Sequence, residues 1–232
     1  MNDFISIMTV VWTAVAHASL QLGLGCLLLL YHESAGKHIR AKTRNLIGSF
    51  ISGVGTIVFL LLATACFVVS NIFNGALSMQ ILTAVIGVLA ALAIVMWFFY
   101  YRRGTTTELW LPKIAAKFID NRAKVTNSNT EAFSLGVLTG FAEMPFIIIL
   151  LLVAGNSILE LDPMYQPLMV SFYTIVTIIP LIALNIGVRI GRNAADIQKW
   201  RVKNKLFLRV ISGFTFLLLG AFIFAFKILG SV

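Results

Sequence analysis

Charged residues are scarce in this chain: only 12% of its 232 residues are Asp, Glu, Lys or Arg, whereas 59% are hydrophobic. Soluble domains carry roughly 25% charged residues, so the composition excludes an ordinary soluble protein. Six apolar runs take up most of the chain, and each is long enough for a membrane-spanning helix, which needs roughly 17–25 residues. These runs are Phe4–Leu30, Leu46–Val69, Ile81–Tyr100, Phe133–Gly155, Leu168–Val188 and Leu206–Leu229.

Acidic residues are half as numerous as basic ones, nine against 18, and the basic ones are unevenly placed. Sixteen of the 18 lie in the connections between runs one and two, three and four, and five and six. Basic residues concentrate in cytoplasmic loops, so both termini are predicted to lie outside the plasma membrane. The same rule accounts for the net charge of +9 without nucleic acid, and it makes anionic lipid of the inner leaflet the expected partner of these loops.

Cysteine is almost absent, with Cys26 and Cys66 the only two. The predicted topology places Cys26 near the inner end of the first run and Cys66 near the outer end of the second. A disulfide needs alpha carbons within about 7 Å, so both are expected to be small packing residues. The sequence has no phosphate-binding loop, hydrolase elbow, zinc-protease helix or dinucleotide fingerprint, and it therefore predicts no enzyme, cofactor or metal site.

A polar and basic stretch, 102–131, divides the chain into two halves, 1–101 and 132–232, with three runs each. Three is odd, so the second half enters the membrane with the opposite orientation, as in the inverted repeats of many secondary transporters. The predicted fold is an all-α integral membrane protein with six transmembrane helices in two inverted three-helix halves. Within the cytoplasmic linker, Pro112 is expected to begin a short helix on the inner membrane surface.

Glu143 is the only acidic residue inside any of the six runs. An ionisable group at mid-membrane is unfavourable by at least a few kcal/mol, so it usually faces a partner, a cavity or a substrate. Thr139 lies one turn earlier on the same helical face. We predict that Glu143 binds a substrate or coupling ion. The alternative is that it stays protonated and hydrogen-bonds a neighbouring helix.

His17 lies near the centre of the first run, and Gln21 is one turn further on the same face. In an inverted repeat the first and fourth helices cross near mid-membrane, where His17, Gln21 and Glu143 would converge. A histidine and a carboxylate in a low dielectric can form a proton relay, a cation site or a site for a substrate amine. His17 and Gln21 could also serve only as hydrogen bonders between helices.

Two prolines lie inside apolar runs, Pro145 shortly after Glu143 and Pro180 in the fifth run. Each removes a helical hydrogen bond, and broken helices expose carbonyl groups that can bind ions. A tolerated kink is the alternative at each position. Asn185 belongs to a polar stripe of the fifth run and joins the predicted substrate- or ion-binding residues.

The segment from Phe133 to Pro145, followed by the aliphatic run from Phe146 to Gly155, carries a family resemblance. It is similar to the helix that opens each repeat in the lysine-exporter (LysE) and DsbD/CcdA transporter superfamily. The resemblance implies six spans in an inverted repeat and proton-coupled export of a small solute or metal ion. The redox branch of that superfamily uses one membrane cysteine in each half, and the fourth run here has none.

Together these observations predict a small secondary transporter that exports a small solute or metal cation through a site around Glu143. The alternative is a non-transporting membrane subunit or assembly partner that docks through its basic cytoplasmic loops. Substrate identity and assembly into a homo-oligomer stay open.

Overall fold

The computed structural model describes residues 2–20, 22–34, 40–100, 119, 121–190 and 194–231, and every element that these residues form is helical. The helices are α1 (Asn2–Ser19), α2 (Leu22–Ser34), α3 (Arg40–Ile72), α4 (Met79–Val95), α5 (Asn129–Leu159), α6 (Gln166–Arg189), α7 (Ala194–Lys203) and α8 (Lys205–Ile223). Wide π-type turns continue α4 over Met96–Tyr100 and α8 over Phe224–Ile228.

Five helices of the described chain are long and apolar enough to cross a membrane, and α1 with α2 would make a sixth span. These two are bent by 45° relative to each other at a short break. Large apolar side chains such as Phe67 and Phe141 are exposed on the outside of the bundle, as lipid-facing residues are. The predicted all-α membrane protein is therefore confirmed at the level of five to six spans, and the break in the first span is a feature that the sequence did not predict.

α3 and α5 lie side by side with their backbones in contact. A Cβ added to Gly136 would lie 2.2 Å from the carbonyl oxygen of Phe50, and one added to Gly155 would lie 3.1 Å from the amide nitrogen of Cys66. Glycine lets transmembrane helices approach this closely. Because these contacts advance in the same sense along both helices, α3 and α5 are parallel.

α1 runs antiparallel to α5. Ser6, near the start of α1, donates a hydrogen bond to Glu160, just beyond the end of α5. His17, near the end of α1, approaches Glu143 in the middle of α5. Lys227, near the end of the last span, also binds Glu160. The first and last spans therefore bring both ends of the described chain to the same end of the bundle.

The main helix contacts join the first half of the chain to the second. α1 packs against α5, α6 and α8, α3 packs against α5 and α6, and α4 packs against α8. Some of the largest fully buried side chains are Phe50, Tyr173 and Phe216, on α3, α6 and α8. The hydrophobic core thus lies between the two halves.

α5 begins with a capping box. The Ser128 hydroxyl accepts a hydrogen bond from the Glu131 amide at 3.2 Å, and the Glu131 carboxylate accepts one from the Ser128 amide, also at 3.2 Å. This pairing satisfies amide groups that a helix start leaves free. It fixes the point at which the chain re-enters the bundle. The predicted interfacial helix from Pro112 lies outside the described residues, as does most of the linker.

Candidate functional site

His17 and Glu143 face each other in the interior of the bundle. Nε2 of His17 is 3.6 Å from Oε2 of Glu143, and both side chains are buried. His17 belongs to the last turn of α1, while Glu143 comes from the middle of α5. The two residues predicted to converge from separate halves of the chain are therefore neighbours.

Tyr173 on α6 completes this centre from a third span. Its hydroxyl is 3.0 Å from Nδ1 of His17, and the tyrosine side chain is fully buried. The imidazole therefore has the Tyr173 hydroxyl at one nitrogen and the Glu143 carboxylate at the other. The sequence analysis did not identify Tyr173, which lies one helical turn before Thr177, a polar residue on the same face of α6. The four-residue spacing between them was the signal that could have found it.

The arrangement allows His17 to exist in both protonation states. A neutral imidazole accepts the Tyr173 O–H at Nδ1 and directs its Nε2–H toward Glu143. A protonated imidazole donates at both nitrogens, with the tyrosine oxygen as the acceptor at Nδ1. The same two neighbours therefore suit the imidazole ring with one N–H group or with two.

The end of α1 adds a favourable electrostatic field. α1 ends at Ser19, and the amide of Leu20 donates back to the His17 carbonyl at 3.1 Å. A helix C-terminus carries a partial negative charge, which favours a cation in the last turn. The Ser19 carbonyl is itself held by the Ser212 hydroxyl of α8 at 3.0 Å. The break in the first span thus places a negative helix end beside the ionisable pair.

A cavity of about 30 Å³ adjoins His17 and Glu143. A water molecule needs roughly 10–15 Å³ measured in this way, so the cavity has room for about two. Its lining comes from five helices and comprises His17, Ala18, Gly23, Leu24, Val54, Val58, Glu143, Thr177, Pro180 and Leu181. The cavity therefore lies at the meeting point of the two halves, and its volume is that of about two water molecules.

Two other predicted binding residues, Thr139 and Asn185, are not in this lining. Thr139 is buried on α5 and donates its hydroxyl to the Leu135 carbonyl at 2.8 Å, one turn before Glu143. Asn185 lies four residues beyond Leu181, the last residue of α6 in the lining, which is roughly 6 Å along the helix. It accepts a hydrogen bond from the Tyr31 hydroxyl at 2.7 Å. Gln21 lies outside the described residues.

The prolines take different positions. Pro180 lines the cavity, and α6 continues through it. Pro145 lies on an exposed side of α5, which also continues without interruption. Among the described spans, the interruption lies in the first one, where α1 gives way to α2.

Neither cysteine forms a disulfide, and their positions keep them apart. Gly23 and Val58 line the same cavity. Cys26 is three residues beyond Gly23 toward the α2–α3 connection, and Cys66 is eight residues beyond Val58 in the opposite direction. At 1.5 Å per residue this separates the two cysteines by roughly 16 Å along the bundle, well above the about 7 Å that a disulfide allows.

No three His, Cys, Asp or Glu side chains among the described residues lie close enough together to hold a metal ion. The central pair supplies two such groups, and the neighbouring oxygen atoms come from Tyr173 and Thr177.

These features define a multi-pass helical membrane protein with a buried ionisable centre between its two halves. The family model described as the cytochrome c biogenesis protein transmembrane region matches residues 25–222. The chain belongs to this family, and the DsbD/CcdA side of the resemblance is confirmed, whereas the lysine-exporter side stays a prediction. Comparisons with curated proteins and with solved structures gave no match.

Proposed function

We propose that the protein is a small secondary transporter in which Glu143 and His17 carry a proton or a single cation. One observation carries the proposal: a buried carboxylate and a buried imidazole from opposite halves of the chain meet beside a water-sized cavity. Intramembrane ionisable residues in such positions mark ion pathways and proton relays. The transported species is a small solute or a metal cation, and the direction is export.

The proposed topology has six spans in two inverted halves, with both termini outside the plasma membrane. The parallel course of α3 and α5 supports inversion, because it requires the second half to start from the side opposite to the first. The contact at Glu160 supports a shared side for the two chain ends. The described basic residues Arg44, near the start of α3, and Arg189, at the end of α6, lie at the other end, which supports a cytoplasmic assignment for it.

Thiol–disulfide transfer, the chemistry associated with this family, is a poorer fit to these residues. A membrane dithiol needs two cysteines that can meet, and Cys26 and Cys66 are far apart along the bundle axis. Neither cysteine lines the central cavity. At the centre the chain instead presents Glu143, a group that exchanges protons and binds cations.

The size of the cavity restricts the ligand in the closed state. About two water volumes accommodate a proton carrier or a single cation, whereas an amino-acid-sized solute requires the helices to separate. We therefore propose that the coupling ion occupies the closed centre and that a larger solute binds only in an open state.

The first test is a thermal-shift screen of the purified protein in detergent. The probes are divalent cations, basic amino acids and neutral amino acids, each over a pH series, with Glu143→Gln in parallel. A ligand that binds only the folded state raises the melting temperature by mass action. We expect a shift in the wild type that is lost in Glu143→Gln.

Asp162→Asn is the matched control, because it removes a carboxylate from an exposed connection and leaves the central cavity intact. Its ligand response should equal that of the wild type. A response that survives in Glu143→Gln would contradict the proposal. If no probe shifts either protein and both are equally stable, the non-transporting subunit becomes the better explanation.

A further inference from the structure

A second ionic cluster lies at the end of the bundle where the two chain ends meet, here called the outer end. Nζ of Lys227 donates to Oε1 and Oε2 of Glu160 at 2.8 and 2.6 Å, and to the Ser157 hydroxyl at 2.9 Å. The lysine side chain is only 8% exposed. A charge buried to this extent needs a paired, hydrogen-bonded partner, and Glu160 is that partner.

The cluster joins four segments of the chain. Ser6 of α1 donates to Glu160, and the Asn156 amide donates to the same carboxylate at 2.8 Å. The Asn156 oxygen accepts the backbone amide of Leu77, ahead of α4, at 2.7 Å. Glu160 therefore ties α1 and α8 to α5, and Asn156 ties in the connection before α4.

A buried polar stripe on α1 leads from this cluster to the centre. It consists of Ser6, Thr9, Thr13 and His17, each at most 4% exposed. Their spacing of three or four residues puts them on one helical face, and the stripe covers roughly 16 Å of helix. Polar residues of this size also serve helix packing, and Thr13 donates to the Thr9 carbonyl. What distinguishes this stripe from ordinary helix packing is its two ends, because it connects the Lys227–Glu160 ion pair to the central cavity.

We propose that the outer access route to the cavity follows this face of α1, and that the Lys227–Glu160 ion pair closes it in this structure. The proposal rests on the transporter function. Opening requires Ser6 and Lys227 to leave Glu160, so that α1 and α8 move relative to α5. α5 stays in place because its backbone is packed against α3 at Gly136. The structure is then a state closed at the outer end.

The test measures access to Thr13, which lies about two-thirds of the way from Ser6 to His17 along the route. Thr13→Cys is placed in a Cys26→Ala, Cys66→Ala background, and the protein is held in lipid nanodiscs, where both faces meet the buffer. A charged maleimide is the probe, because it does not enter the apolar bilayer. We expect Lys227→Met to raise the labelling rate of Thr13→Cys at least tenfold. Met164→Cys, at a position 84% exposed near the outer end, gives the rate of an open site.

Two further variants protect the test against a change in folding. Glu160→Gln removes the opposite charge and should raise the labelling rate as Lys227→Met does. The exchange of the two residues, Lys227→Glu with Glu160→Lys, should return the rate to the parent level. An unchanged rate in both single variants would overturn the proposal. Fast labelling in the exchanged protein would assign closure to packing rather than to the ion pair, and would also count against it.

The labelling readout requires no transport, so it can fail independently of the proposed function. If labelling rises while Glu143→Gln keeps every ligand response, the route stands and the transport proposal falls. If labelling stays flat while Glu143→Gln loses its ligand response, the transport proposal stands and the closure at Lys227 falls.

Discussion

The two sides of α5 are built differently. Toward α3 it presents glycines, and the two backbones touch at Gly53 and Gly136. Toward α1 it presents Glu143 at a cavity and Glu160 in an ion pair. Backbone contacts leave no room for adjustment, whereas hydrogen bonds between side chains can exchange partners. The comparison fits the proposal that α3 and α5 stay together while α1 and α8 move relative to them.

The largest loss of stability is expected where α5 packs against α3. Gly136→Ala places a methyl group 2.2 Å from the Phe50 carbonyl oxygen, so α3 and α5 must separate. Overpacking of this kind lowers stability by about 1–3 kcal/mol, which a melting curve in detergent detects. Gly87→Ala is the control, because nothing lies within 4 Å of its added Cβ. Equal melting temperatures for the two variants would remove the distinction between the two sides of α5.

A smaller loss of stability is expected at the central site, on the side of α5 that faces α1. Tyr173→Phe removes the hydroxyl from Nδ1 of His17, and the loss of one hydrogen bond lowers stability by about 0.5–1.5 kcal/mol. The ligand-induced thermal shift should weaken as well, since the imidazole loses its orientation. Tyr165→Phe, at an exposed position, is the matched control. A loss of stability as large as that of Gly136→Ala would show that the central site stabilises the bundle as much as the α3–α5 contact does.

The smallest effect is expected at the opposite end of the bundle, where Tyr31 of α2 donates to Asn185 of α6 at 2.7 Å. Polar pairs between membrane helices contribute about 0.6 kcal/mol on average. A double-mutant cycle with Tyr31→Phe and Asn185→Ala should give a coupling energy near that value. This cycle thus measures what an ordinary interhelical hydrogen bond contributes to the stability of the protein. A coupling well above about 1.7 kcal/mol would show that this pair also holds the bundle closed.

Much of the central site followed from the sequence. Glu143 stands out because a membrane interior offers few ways to accommodate a carboxylate. Its partner was expected from the first half of the chain, because the first and fourth helices of an inverted repeat cross near mid-membrane. His17 was the one titratable candidate near the middle of the first run. Hydropathy and basic connections supplied the spans. These features depend on local composition, which a sequence displays directly.

What the sequence did not supply depends on three-dimensional register. Tyr173 is apolar enough to pass as part of a span, and only its distance from His17 reveals its role. Lys227 falls within the last apolar run and Glu160 within the connection between the fourth and fifth runs, and their pairing was not predicted. Asn185 has the right chemistry, but it lies about one helical turn beyond Leu181, the last residue of α6 in the cavity lining. Pattern analysis identifies residue types, whereas partners across the bundle require the packing.

The dependence of α1 on distant partners also bears on how the protein is made. The helices that cover its four buried polar side chains, α5, α6 and α8, are encoded more than 100 residues later. At about 5–20 residues per second, roughly 6–25 s pass between the synthesis of His17 and that of Glu143. During that interval the polar face of α1 can contact only lipid, the insertion machinery or α2 to α4. The polar face of α1 therefore lacks its native partners during biogenesis, whereas it has them in the finished bundle.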